Sequence, residues 1–323
     1  MCSNDGNGNV VKEQFEIEVD ENVRQLDLTR RRLLHVSNFD MLPNLEMLTL
    51  RWNLLKKIEN FDGLHKLTKI EVDENVRQLD LTRRRLLHVS NFDMLPNLEM
   101  LTLRWNLLKK IENFDGLHKL TSLSLYDNQP LTLENKQYNN GAAQQCLSTL
   151  RELTVLSFIG NAIRTIEGLD RLTNLMDLAL SQNGITRIAG LVNNVALVIL
   201  DLNDNQIEKI ENLQHLANLK SLLVNNVALV ILDLNDNQIE KIENLQHLAN
   251  LKSLWMRRNR ISNWSEVAYL NRLPALKDVT LEMNPIYRLI FSYVIQPNLG
   301  EFLPERLFQS AARATTTSTS SPG

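Results

Sequence analysis

The sequence predicts an α/β solenoid: a horseshoe of short coils with a parallel sheet on its concave side and a 3₁₀-like or irregular convex side. Three observations lead there. A 22-residue unit, written most clearly as LVILDLNDNQIEKIENLQHLAN over 197–218, recurs along the chain. Each unit fuses two periods. Leu200-x-Leu202 alternates as a short strand does, whereas Ile207, Ile210, Leu213 and Leu216 recur at every third residue, closer to a 3₁₀ turn than to an α-helix. Finally, one unit cannot stand alone, because its apolar burial falls short of the entropy lost on ordering its backbone. Stacked coils share strand hydrogen bonds and bury both flanks, so the unit makes sense only as one turn of a repeat array.

Taken in order, residues 1–16 form a polar tail that is expected to be disordered, and 17–286 carry about eleven coils. The coils open at Val23, Leu45, Val76, Leu98, Leu120, Leu153, Leu175, Leu197, Leu229, Leu251 and Leu276. This is the pattern of a leucine-rich repeat. Three residues after the second strand apolar stands Asn in nine coils, from Asn53 to Asn284, and Arg31 and Arg84 in the other two. A buried Asn there can satisfy main-chain groups of neighbouring coils. Arg cannot, which suits a first coil facing solvent but not its interior copy. Between Leu120 and Leu153 the coil dissolves near 129–149 into an amide-rich insert around Pro130, expected to project from the convex side. Residues 287–310 are expected to cap the last coil and 311–323, rich in Ser and Thr, to be disordered.

Two stretches are copied without change: 17–68 as 70–121, and 191–222 as 223–254. The offsets of 53 and 32 residues are not whole coils, so both copies enter out of register. Such identity means a very recent tandem duplication or an error in assembling the gene, and the broken register favours the error. In the chain as written, each seam leaves a stub, LTKIEVDEN at 67–75 and 219–228, that starts a coil without a return segment. Extrusion of both stubs is expected, because loop length adds little entropic cost while stacking preserves a shared apolar flank. The strands around Leu50 and Leu81, and around Leu202 and Leu234, should then be neighbours.

Composition narrows the function. With 35 basic and 38 acidic residues the net charge is −3, which offers no field for nucleic acid or an anionic membrane. Two cysteines are too few for a disulfide framework, and no basic segment followed by an apolar run opens the chain, so an intracellular soluble protein is expected. The six His are three positions and their copies, with no ligand-spaced partners, so no metal or cofactor is expected. No phosphate-cradling, nucleophile-elbow or zinc-protease motif occurs, and an enzyme is disfavoured. The surface on offer is the concave sheet. Between the two strand apolars stand mostly small or acidic residues, Asp201 and Asp233 among them, and one large aromatic, Trp255. Tyr126, Asp127 and Glu282 lie just beyond the strands and complete the candidate partner-binding set. A large aromatic on an open face is a typical interface anchor.

The phrases LTLRWNLLKKIEN, LSLYDNQ and KIENLQHLANLKSLWMRRNRISNWSEVAYLNRLPALKDVTLEMNPI resemble the leucine-rich-repeat regulatory subunits of protein phosphatase 1, the regulatory subunit 7 family, over about Val23 to Ile286. The final coils carry the more specific likeness, in Trp255-Met256, Trp264-Ser265 and the 25-residue step to Asn284-Pro285. The resemblance implies a non-catalytic subunit that binds the phosphatase catalytic subunit on its concave face, a monomer within a heterodimer, in nucleus and cytoplasm. The family's acidic residue and tryptophan on late strands fall on Asp201 or its copy Asp233, and on Trp255. No short phosphatase-docking peptide of the basic-Val/Ile-x-Phe/Trp kind is present, so binding would use the concave surface. The alternatives are a generic interaction scaffold of spliceosomal or axonemal type, or a misassembled duplicated product without a stable partner.

Overall fold

A computed structural model describes residues 20–286 apart from 21, 35, 37–41, 56, 59–63, 65, 68, 72–74, 88, 90, 91, 93, 94, 129, 130, 132, 134–146 and 217–228. The expectations for the tails, the cap and most of the amide-rich insert therefore fall outside the described residues. In the remainder, each coil opens on a strand of at most three residues whose central side chain points inward. Leu48, Leu101, Leu156, Leu178, Leu200, Leu232 and Leu254 are at most 1% exposed, while their strand neighbours, the buried Ser253 apart, are half-buried or exposed. That alternation is the period of an extended chain.

Thirteen strands are present among the described residues: β1 (Gln25–Asp27), β2 (Met47–Thr49), β3 (Lys57–Ile58), β4 (Lys69–Glu71), β5 (Gln78–Asp80), β6 (Met100–Thr102), β7 (Ser122–Ser124), β8 (Val155–Ser157), β9 (Asp177–Ala179), β10 (Ile199–Asp201), β11 (Ile231–Asp233), β12 (Ser253–Trp255) and β13 (Asp278–Thr280). They pair in parallel and in register, so each central Leu lies beside the next, as Leu178, Leu200 and Leu232 do. The insert after β7 leaves the sheet unbroken, because β7 pairs directly with β8.

The Asn at each turn reaches back one coil. Asn205 donates from Nδ2 to the carbonyls of Leu180 and Leu202, both at 3.0 Å, and accepts from the Ile185 amide at 3.0 Å. Asn106, Asn183, Asn237, Asn259 and Asn284 repeat the same three bonds. Each would otherwise leave a buried carbonyl and amide without a partner, at about 1–3 kcal/mol apiece. Arg84, which stands at the Asn position of the coil opening at Val76, is buried at 5% exposure. Its guanidinium has donors only and cannot take the amide of a preceding coil.

On the convex side the irregular form of the two expected prevails over regular 3₁₀ structure. Among the described residues, 3₁₀ structure is found at Gln214–Leu216, Leu270–Arg272 and Phe92. Elsewhere the triplet Leu pattern yields single three-residue turns, such as Leu175 N–H to the Leu172 carbonyl at 3.2 Å, linked by irregular chain. A left-handed residue separates them: Asn113, Gly190, Asn212 and Asn244 have φ of 60–70°. At Gly190 the neighbouring coil is so close that a Cβ would lie 2.1 Å from the Ile166 carbonyl oxygen. Helix α1 (Trp264–Tyr269) absorbs the three extra residues of the 25-residue step, capped by Asn263, whose side chain accepts from the Ser265 amide at 3.0 Å. The α/β label is thus corrected to a β-solenoid with an irregular convex side.

The two seams behave differently. At the second, β10 pairs directly with β11, the expected neighbours, and the Leu229 amide bonds the Leu216 carbonyl; the stub itself lies outside the described residues. At the first, extrusion fails. Lys69–Glu71 pairs with β2, and β5 pairs instead with β3, two residues of the previous coil's return segment. The sheet divides into β1-β2-β4 and a ten-stranded sheet running from β3 and β5 to β13. One apolar core, from Leu28 to Ile286, nevertheless runs through both.

Candidate protein-docking surface

Because side chains alternate along a strand, two columns face out on either side of each buried Leu. Over the last five strands the first column reads Asp177, Ile199, Ile231, Ser253 and Asp278, and the second reads Ala179, Asp201, Asp233, Trp255 and Thr280, all in register. The second column carries the predicted centre. Asp201 is directly beside Asp233, and Asp233 directly beside Trp255. Trp255 is half-buried between its strand neighbours, so one part of the ring is held and the rest is presented.

The carboxylates are held at a cost. Burial, reinforced by the charges of Asp201 and Asp236 and opposed by a bond from the Asn235 amide, pushes the Asp233 carboxyl up to about 6. Burial, with the charge of Asp201 behind it, raises Asp177 as well. Asp201 accepts from the Ser181 hydroxyl at 2.8 Å and the Asn203 amide at 3.0 Å, and Asp233 from the Asn235 amide at 2.9 Å. At the strand ends, Arg258 Nη1 meets Asp236 Oδ1 at 3.2 Å and its Nε lies 3.1 Å from the Met283 sulfur, while Asn235 Oδ1 receives the Arg257 amide at 2.7 Å. Acid lies on the concave face and base on the rim beside it.

Of the predicted partner-binding residues, Asp201, Asp233 and Trp255 come together. Glu282 lies in the turn beyond β13, where its carbonyl accepts from the Arg258 amide at 2.9 Å. Tyr126 and Asp127 do not join them: their turn follows β7, three strands or roughly 14 Å from β10. Tyr126 instead meets Trp105, with ring centroids 5.3 Å apart. Sequence reasoning missed Asp177, Ser253 and Asp278 because it read only the column between the two strand apolars, although period 2 puts the preceding residue on the same face. It also passed over Trp105, which occupies the same turn position as Asp127, Asp204 and Asp236. Among the described residues no group of three His, Cys, Asp or Glu could hold a metal ion, and no helix is long and apolar enough to cross a membrane.

A family profile described as leucine-rich repeats, two copies, matches residues 227–269, the stretch that contains β11, β12 and α1. The internalin C2 structure of Listeria monocytogenes is similar at 27% identity and a TM-score of 0.51, over 64% of this chain and 81% of that one. The chain is a leucine-rich-repeat solenoid. A structure of the Drosophila Toll–Spatzle complex shares the fold at 21% identity and a TM-score of 0.52, over 79% of this chain and 36% of that one. No curated protein matches in sequence. For a leucine-rich-repeat solenoid the stacked strands are what bring residues from separate coils, 32 and 22 positions apart here, into one continuous row.

Proposed function

We propose that the chain is a non-catalytic protein-interaction scaffold whose late concave strands dock a partner through the row Asp201, Asp233 and Trp255. The observation that carries the reading is the register of a half-buried Trp255 beside Asp233, whose carboxyl is pushed up to about 6 by burial first and then by repulsion from Asp201 and Asp236. A cationic side chain of a partner seated there would relieve that repulsion, while the indole supplies apolar contact. The finer reading, that the partner is the catalytic subunit of protein phosphatase 1, is supported by the likeness of the final coils to that regulatory family. Within it the chain is one half of a heterodimer of nucleus and cytoplasm.

Titrating the purified chain with the phosphatase catalytic subunit by calorimetry tests both levels. Trp255→Ala is expected to weaken binding by about 2 kcal/mol or more, as truncation of an interface anchor does. Unchanged affinity in a folded variant would remove the row from the interface. No binding by the parent chain would remove the phosphatase and leave the generic scaffold.

A further inference from the structure

The exposed large apolar side chains are not spread evenly. Leu34, Trp52 and Leu54 of the first copied segment are exposed, and so are their copies Leu87, Trp105 and Leu107. In the second set an aromatic neighbour completes the cluster. Trp105 lies in the turn after β6, its amide bonded to the Tyr126 carbonyl at 2.9 Å, and is still 39% exposed. The Arg83 guanidinium sits 4.4 Å above its ring centre and the Tyr126 ring meets it at 88°, edge to face. Both rings are therefore fixed by neighbours, and an incoming group would meet them already ordered.

The charge around this platform has a sign. Arg83 and Arg104 are exposed, and Arg104 Nε donates to the Ser124 hydroxyl at 2.8 Å. Among the described residues no ion pair engages either guanidinium. Of the nearby carboxylates, Asp80 is taken up by the Thr82 amide at 2.9 Å, and Asp127 follows Tyr126 into a left-handed turn. We propose that Arg83, Arg104, Trp105, Leu107 and Tyr126 form a second docking surface, on the rim of the early coils, for an acidic peptide segment that carries an aromatic side chain. Arginine beside aromatic rings also suits single-stranded nucleic acid. The net charge of −3 and the acidic concave face would repel a polyanion, whereas a short acidic peptide need touch only the rim.

The test is fluorescence anisotropy on the intact chain with three fluorescein-labelled probes: a peptide of Phe set among Glu and Gly, the same peptide with Lys for Glu, and oligothymidylate. The Glu–Phe peptide is expected to bind saturably. Its dissociation constant should rise by about 10-fold or more in Trp105→Ala and in Arg83→Glu/Arg104→Glu, with matching far-UV melting curves, and stay unchanged in Trp255→Ala. Independence from Trp255 separates this surface from the concave row, so either can fail alone. Preference for the Lys peptide or the oligonucleotide, or equal affinity in both rim variants, would overturn the proposal.

Discussion

Two seams, each joining a solenoid to an out-of-register copy of itself, end differently, and the contrast isolates what holds one coil to the next. Both insert a stub that starts a strand and lacks a return. At the first the stub keeps its place as β4 and the sheet divides, whereas at the second β10 and β11 pair as though nothing intervened. Link length does not separate them. Parallel neighbours need a crossover of a dozen or more residues, and both the path from β2 to β5 and that from β10 to β11 are long enough. What differs is the incoming coil. The coil that opens at Leu229 brings Asn237, which bonds back to the Leu202 carbonyl at 2.9 Å and the Ile207 amide at 2.9 Å. The coil that opens at Val76 brings Arg84, a first-coil residue copied into the interior, which cannot supply the acceptor. Seated on β2 it would leave the facing amide without its acceptor, and the six-residue link from β4 is too short to let it sit there instead.

The largest expected effect comes from repairing the first seam. Deleting residues 68–120 joins Leu67 to Thr121 at the 22-residue spacing and sets Asn128 where Arg84 had been. In the parent chain, hydrogen exchange is expected to find the β1, β2 and β4 amides opening separately from the ten-stranded sheet. In the deletion they should open with the rest, gaining about 4 kcal/mol or more of protection, the worth of the restored bonds and shared flank. Identical exchange of β1 and β2 before and after would mean that the divided sheet already behaves as one.

The converse change breaks the second seam. Asn237→Ala strips the reach-back bonds and makes this junction chemically like the first. A loss of about 2–4 kcal/mol in urea unfolding is expected, with exchange protection lost first in β10 and β11. Asn259→Ala, in an ordinary junction, is the control for the same loss without a seam. If Asn237→Ala costs nothing measurable, the Asn ladder does not decide how coils dock.

The repeat, the strand positions and the Asn ladder were legible in the sequence because each depends on a local period or on one residue type at one spacing. Even the failure at the first seam had a visible sign, Arg84 in an interior coil, but its consequence depended on which unsatisfied groups cost more, a comparison that needs the bonds of the facing coil. The role of Lys57–Ile58 as a sheet edge was not legible at all, since the identical Lys110-Ile111 forms no strand. Its neighbours, not its residues, make it β3. At the site, Trp255 stood out by size, whereas the crowding of Asp233 arises from stacking that only the assembled coils reveal.

That crowding is itself a product of the second seam, and it gives the smallest and last prediction. Because identical coils are stacked in register, every outward residue of β10 meets its own copy, so Asp201 faces Asp233 and like charges are paired. The Asp233 carboxyl, ordinarily at 3.8, rises to about 6, first through burial and then through Asp201 and Asp236. Raised above its unfolded value, the group binds more protons folded than unfolded between those two values, so its contribution favours the fold as pH drops through 6 and its cost is fully present above it. Glu211, held low by Arg187, works in the opposite direction, so the comparison must be between variants rather than on the parent alone. Asp233→Asn, which keeps an acceptor for the Asn235 amide, should raise the melting temperature at pH 7 and narrow its difference from the parent toward pH 4. Asp201→Asn should lower the Asp233 midpoint, read by carbon NMR of its carboxyl, without abolishing the shift, because burial is the larger cause. An Asp233 midpoint that Asp201→Asn leaves unchanged would mean that the facing copies are not crowded, and the acidic row would lose the electrostatic pressure that makes it receptive to a cationic partner.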